Sequence, residues 1–154
     1  VGVISLLIPN LTFAQHYAQT NLVSDLPNIA AVRDPNLINP WGLARSTGGP
    51  WWVSDNGAGV STLYNGTGVP RSLVVTIPPP PKGAAPSAPT GIVFNGSSDF
   101  VLPASKGGNN LPASFIFVTE DGTIAGWNGG LTNAVVVVDR SHNAVFKVCT
   151  TADV

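Results

Sequence analysis

From residue 15 onward the chain alternates brief apolar stretches with clusters of Asn, Asp, Gly, Ser and Pro. The stretches at 51–54, 60–64, 72–77, 91–94, 114–119, 123–127 and 134–138 are rich in Val, Ile, Phe and Trp. Such side chains fit a pleated surface, and short runs of them bounded by turn residues predict strands. No window keeps apolar positions at helical spacing with capping residues at its ends, so no long helix is expected. Between the runs lie Asp55-Asn-Gly57, Asn65-Gly66, Asn95-Gly96, Asp121-Gly122 and Asn128-Gly129. These pairs predict tight hairpins in which glycine supplies a positive φ. The expected class is all-β and antiparallel.

The pattern also repeats. Pro40-Trp-Gly-Leu-Ala44 resembles Pro89-Thr-Gly-Ile-Val93, 49 residues on. Each is followed by an apolar run, an acidic turn, and a run closing in aromatic-Asn-Gly, at Tyr64 in the first copy and Trp127 in the second. Ala144-Val-Phe-Lys-Val148 opens a third copy. A period of roughly 40–50 residues with four short strands each is the signature of a β-propeller. The expected architecture is a partial β-propeller, about two four-stranded antiparallel blades plus the start of a third, a fragment of a larger ring, because rings take roughly 4–8 blades. On this reading residues 38–77 are blade 1, 78–89 a Pro-rich connector of polyproline II character, 90–139 blade 2 and 140–154 a truncated blade 3. Residues 15–37 lead in, with Asn21–Leu26 as the outer strand that would close the ring, and 99–113 are an insertion projecting from blade 2. Trp41, Trp52, Tyr64, Phe94, Phe117 and Trp127 are expected in the core between blades, because a twisted sheet buries its faces only by stacking on its neighbours.

Composition sharpens the picture. Gly and Pro number 17 and 14 among 154 residues, a punctuated chain poor in helix formers. Seven basic against eight acidic residues leave a net charge of −1, so no nucleic-acid partner is expected, since phosphate neutralisation needs a basic face. With 44% hydrophobic residues the chain can build a core. There is no Met, so Val1 is not expected to be a translation start. Val1-Gly-Val-Ile-Ser-Leu-Leu-Ile8, with Thr12 and Ala14 at the small-residue positions of a cleavage site, reads as the remnant of a secretory signal over 1–14. That run is too short to cross a bilayer, which takes about 20 apolar residues, so no transmembrane span is expected. The single Cys149 reads as a buried thiol.

Longer strings carry a resemblance. Asn21-Leu-Val-Ser-Asp-Leu-Pro27, Asp34-Pro-Asn-Leu-Ile-Asn-Pro-Trp-Gly-Leu-Ala44, Trp52-Val-Ser-Asp-Asn-Gly57, Pro89-Thr-Gly-Ile-Val-Phe-Asn95 and Phe117-Val-Thr-Glu-Asp-Gly-Thr-Ile-Ala-Gly-Trp127 together resemble the N-terminal half of an uncharacterised bacterial family of secreted propeller-like proteins. Some members of that family carry a PEP-CTERM sorting tail. The resemblance runs from Tyr17 to Lys147, and Val148-Cys-Thr-Thr-Ala-Asp-Val154 departs from it. It implies a secreted, extracellular or cell-surface bacterial protein, and, because the activity of that family is not established, it supplies no catalytic residue to carry over. At the level of fold alone the arrangement is also similar to NHL and gluconolactonase-type propellers.

Candidate chemistry is sparse. There is no Gly-x-Ser-x-Gly elbow and no His-Glu-x-x-His, and His16 and His142 are too few for a His-rich metal site. Asp139, Ser141 and His142 are triad residue types, but near-neighbours in sequence do not make triad geometry. Asp55 and Glu120 end the second strands of the two copies. With Asn56 and Asp121 they form a candidate set of hard oxygen ligands for a cation such as Ca²⁺. Two functions compete: an exported binding or surface-interaction module taking a protein or carbohydrate ligand, and a metal-dependent hydrolase of lactonase type. The scarcity of titratable side chains favours the first.

Overall fold

The structure, a computed structural model, describes residues 17–151. The secretory-signal expectation for 1–14 and the histidine at His16 lie outside the described residues.

The apolar runs form strands where the sequence places them. β1 (Val23–Ser24) and β2 (Val32–Arg33) form a small parallel pair. β3 (Pro40–Ala44), β4 (Trp51–Asp55), β5 (Val60–Tyr64) and β6 (Val75–Thr76) make a four-stranded antiparallel sheet in chain order. β7 (Pro89–Phe94), β10 (Phe115–Thr119), β11 (Thr123–Trp127) and β12 (Val135–Asp139) make a second such sheet, again in chain order. Between β7 and β10 the 99–113 insertion folds as a hairpin of β8 (Val101–Leu102) and β9 (Leu111–Pro112) around a single 3-10 turn. The chain is therefore all-β and mainly antiparallel, and among the described residues no sheet closes on itself. β6 is shorter than the expected 72–77, although the Ile77 amide extends its pairing by donating to Gly59 O at 3.0 Å. The expected outer strand Asn21–Leu26 contributes only β1, whose partner is β2.

The turns hold by a different device from the expected one. Of the glycines in the predicted hairpin pairs, only Gly122 has a positive φ. At Asn65, Asn95 and Asn128 the asparagine side chain braces the turn. Asn65 Oδ1 accepts from the Thr67 and Val69 amides and the Thr67 hydroxyl, at 2.9–3.0 Å. Asn95 Oδ1 accepts from the Ser97 amide and hydroxyl, and Asn128 Oδ1 from the Gly130 amide. The left-handed residue is still a glycine, but it lies two positions past the expected one: Gly59 (φ +69°) after β4 and Gly68 (φ +82°) after β5.

The two sheets pack face to face. Trp52 stacks on Phe115 at 4.2 Å between ring centroids, and its ring also meets Trp127 at 4.8 Å and Phe117 at 6.5 Å. Leu63, Val75, Ile77, Ile92, Ala125 and Ala134 complete this core. Trp52, Phe117 and Trp127 lie in this core as expected, and Phe94 packs partly against it, whereas Tyr64 is buried outside it, on the other face of the first sheet, with its hydroxyl donating to Asp34. Trp41 does not belong to this core; it is 47% exposed.

Two glycines set the approach of successive repeats. A Cβ on Gly42 of β3 would collide with the Thr90 carbonyl of β7 and come within 2.9 Å of Ile92. A Cβ on Gly91 of β7 would lie 2.8 Å from the amide of Cys149. Both are the glycine of a Pro-x-Gly string, and each faces the opening stretch of the next repeat. The third stretch is held there by Phe146 N donating to Thr119 O at 3.1 Å and the Thr90 hydroxyl donating to Phe146 O at 2.8 Å.

Candidate functional site

At one end of the sheets, where β3 and β7 begin and β4 and β10 end, polar side chains from the three repeats meet. Pro40 pairs with Asp55, and Pro89 pairs with Thr119. One residue further on, Asn56 N donates to Asn39 O and Glu120 N donates to Ala88 O. Thr119 is thus the counterpart of Asp55, and Asn56 that of Glu120. The repeat in the sequence sets Asp55 against Glu120, one position out of this register. The turn after β10 is one residue shorter than the turn after β4, which displaced the alignment by one position.

Asn39 Nδ2 donates to Asn56 Oδ1 at 3.1 Å, and Asn56 Nδ2 donates to Glu120 Oε2 at 3.1 Å. The other oxygen of Glu120 is ion-paired with Lys147 Nζ, which lies 5.1 Å from the centroid of the Trp41 ring. The Lys147 hydrogen bond, and then the one from Asn56, hold the Glu120 carboxyl below the usual carboxylate range. The result is a row of amide, carboxylate, ammonium and indole on the solvent-facing rim. Such a row offers hydrogen bonds in both senses and a flat apolar face. Asn39, Trp41 and Lys147 were not legible as members, because each sits in a string that serves equally as strand or turn.

The other two members of the expected calcium set are committed elsewhere. Asp55 is 0% exposed. Its Oδ2 accepts from the Thr62 amide at 3.1 Å and the Thr62 hydroxyl at 2.7 Å, while its Oδ1 is buried without a hydrogen-bond partner. Burial pushes this carboxyl up from 3.8 to about 7, against the lowering effect of the Thr62 bonds and with a further push from Asp34. Asp34 in turn accepts from the Tyr64 hydroxyl at 2.8 Å, and burial raises that phenol above its ordinary value. Asp121 Oδ2 accepts from Ser87 Oγ and the Ala88 amide, both at 2.7 Å, and so ties the end of the Pro-rich connector to the turn after β10. Only Asn56 and Glu120 of the four are joined. Among the described residues no group of three or more His, Cys, Asp and Glu is placed to hold a metal ion.

The remaining chemistry-bearing residues are structural in their contacts. Ser141 N donates to Asp139 Oδ1 at 2.9 Å, a local turn that lowers the Asp139 carboxyl. Cys149 is half-buried, and burial pushes its thiol up to about 11, away from the thiolate a nucleophile requires. Among the described residues no helix is long and apolar enough to cross a membrane.

No family model matches the chain, and no solved structure matches it. Two uncharacterised proteins of Acanthamoeba polyphaga mimivirus do. The first is 33% identical over 107 residues, 70% of this chain and 26% of the relative. The second is 34% identical over 127 residues, 80% of this chain and 30% of the relative. The chain thus spans between a quarter and a third of the length of these curated relatives. These matches correct the expectation of a bacterial secreted family with a PEP-CTERM tail, because the relatives found are viral. The strings behind that expectation are the Pro-x-Gly approach, the aromatic core positions and the Asn-Gly turns. Stacked hairpin sheets need these for physical reasons whatever their lineage, so they carry fold rather than origin.

Proposed function

We propose that this chain is a binding module built from radially repeated four-stranded sheets, part of a propeller, that takes a polar, ring-bearing ligand such as a carbohydrate at the Asn39–Asn56–Glu120–Lys147 rim. The observation that carries the binding reading is Trp41. A large aromatic left 47% exposed beside a hydrogen-bonded row of polar groups is the arrangement that stacks on a sugar ring while the row bonds its hydroxyls. The radial order is supported by the paired glycines, since Gly42 faces the second repeat as Gly91 faces the third. The hydrolase alternative gains no support from the geometry, because Asp55 and Asp121 already serve the interior of a sheet and the anchor of a connector.

Tryptophan fluorescence titrated with a panel of soluble mono- and oligosaccharides tests the rim. Saturable binding is expected, abolished by Trp41→Ala and weakened severalfold by Glu120→Gln. Binding unaffected by Trp41→Ala, or no response to any saccharide, would overturn the assignment. The radial order is tested apart from ligand: Gly91→Val should push the third stretch off the second sheet and speed alkylation of Cys149. Alkylation at the wild-type rate would count against it.

A further inference from the structure

Resting on the reading of the rim as a saccharide site, we infer that the sugar it selects bears a primary ammonium, as in a glucosamine oligomer, and that Lys147 holds the place of that ammonium until the sugar displaces it.

The contacts of Lys147 are those of a bound cation. Its ammonium is ion-paired with Glu120 and lies over the Trp41 ring, 5.1 Å from the centroid. A carboxylate beside an aromatic face attracts an ammonium from two sides, by its charge and by the ring quadrupole. Asn56 Nδ2 donates to the remaining oxygen of Glu120 at 3.1 Å, so the carboxylate keeps its aim when Lys147 leaves. The groups come from successive repeats: Trp41 from β3, Glu120 from the turn after β10, and Lys147 from the third stretch. They form a cation site that the chain fills with its own side chain.

The exchange needs no movement of the backbone. Phe146, next to Lys147, stays held by Thr119 O and the Thr90 hydroxyl. The Lys147 side chain is 52% exposed on a flexible four-carbon stem, and an exposed pair of this kind contributes little, because holding it costs rotamer freedom. That freedom returns when a ligand ammonium takes its place, and the charge of Glu120 stays balanced. The sugar then adds what the lysine stem lacks, a ring against the indole and hydroxyls for Asn39 and Asn56. An anionic sugar fits worse, since it meets the Glu120 carboxyl, which the Lys147 and Asn56 bonds keep ionised. A neutral sugar that displaces Lys147 leaves Glu120 without a cation.

Isothermal titration calorimetry with a glucosamine oligomer, its fully N-acetylated counterpart and the glucose oligomer of the same length tests this, at about pH 6, where the sugar amine is protonated. The glucosamine oligomer should bind severalfold tighter than the two neutral ones, and Glu120→Gln should erase that preference. Lys147→Met should tighten the glucosamine oligomer severalfold, because it removes a tethered competitor of high effective concentration. Lys147→Gln replaces it should the methionine variant lose its fold by circular dichroism. Equal, Trp41-dependent binding of all three oligomers overturns the ammonium selection yet leaves the saccharide rim standing. A Lys147→Met variant that binds the glucosamine oligomer more weakly makes the lysine a ligand-holding group and overturns the exchange. Nα-acetyl-lysinamide bound as tightly as the glucosamine oligomer overturns the sugar as the source of the ammonium. No response to any oligomer, charged or neutral, removes the saccharide reading itself.

Discussion

The carboxyl of Asp55 sets an unusual pH dependence. It sits at 0% exposure with one oxygen held by Thr62 and the other unpaired, and its value rises from 3.8 to about 7. Between those limits the folded chain keeps a proton that the unfolded chain has released. Its contribution to stability is therefore complete below 3.8 and is lost as pH rises through about 7. Glu120 and Asp139 shift the other way, but they are solvent-screened and count for less. Urea unfolding measured from pH 5 to pH 8 should show falling stability, by at most about 1.4 kcal/mol per pH unit. Asp55→Asn should flatten that slope. A wild-type slope of opposite sign would refute the burial argument.

Among the elements, glycines separate into two classes. Gly66, at the end of β5, has open space where a Cβ would go. Gly66→Ala should leave the melting temperature nearly unchanged, within the roughly 0.5 kcal/mol usual for surface changes. At Gly91 the backbone of the third stretch occupies that space, so Gly91→Ala should cost 1 kcal/mol or more by the roughly 1–3 kcal/mol typical of overpacking. The sequence pattern treated Gly66 as necessary for a positive φ and Gly91 as one letter of a repeated string. Local turn chemistry was legible as to place. The residue that takes the positive φ was not, because with Asn65 Oδ1 gathering the Thr67 and Val69 amides it is Gly68, not Gly66, that turns left-handed.

For the whole molecule, Trp52 is the joint. It packs against three aromatic rings of the second sheet and ties two sheets that share no strand. Trp52→Ala should cost about 3–5 kcal/mol, the range for removing a large buried aromatic. Because the lost contacts lie between the sheets, urea unfolding followed by fluorescence and by far-UV circular dichroism should no longer coincide. Coincident transitions in the variant would show that the sheets hold together without this residue.

What the sequence determined by itself was everything with a short period: the strands, their order within each four-stranded sheet, the repeat near 49 residues, and most of the aromatic core. Those features follow from alternation, β-branching and turn residues, which act over a few positions and leave their mark in the string. Only the tertiary structure decided which carboxylates meet and which are sealed away. Asp55 and Asn56 are neighbours in sequence, yet one turns into the first sheet and the other reaches across to Glu120. Trp41 and Lys147 lie far apart in the chain and become neighbours because Gly42 and Gly91 let successive repeats close to backbone contact. The partner of a polar side chain is set by how the sheets stack, and stacking is a long-range property that no local spacing encodes.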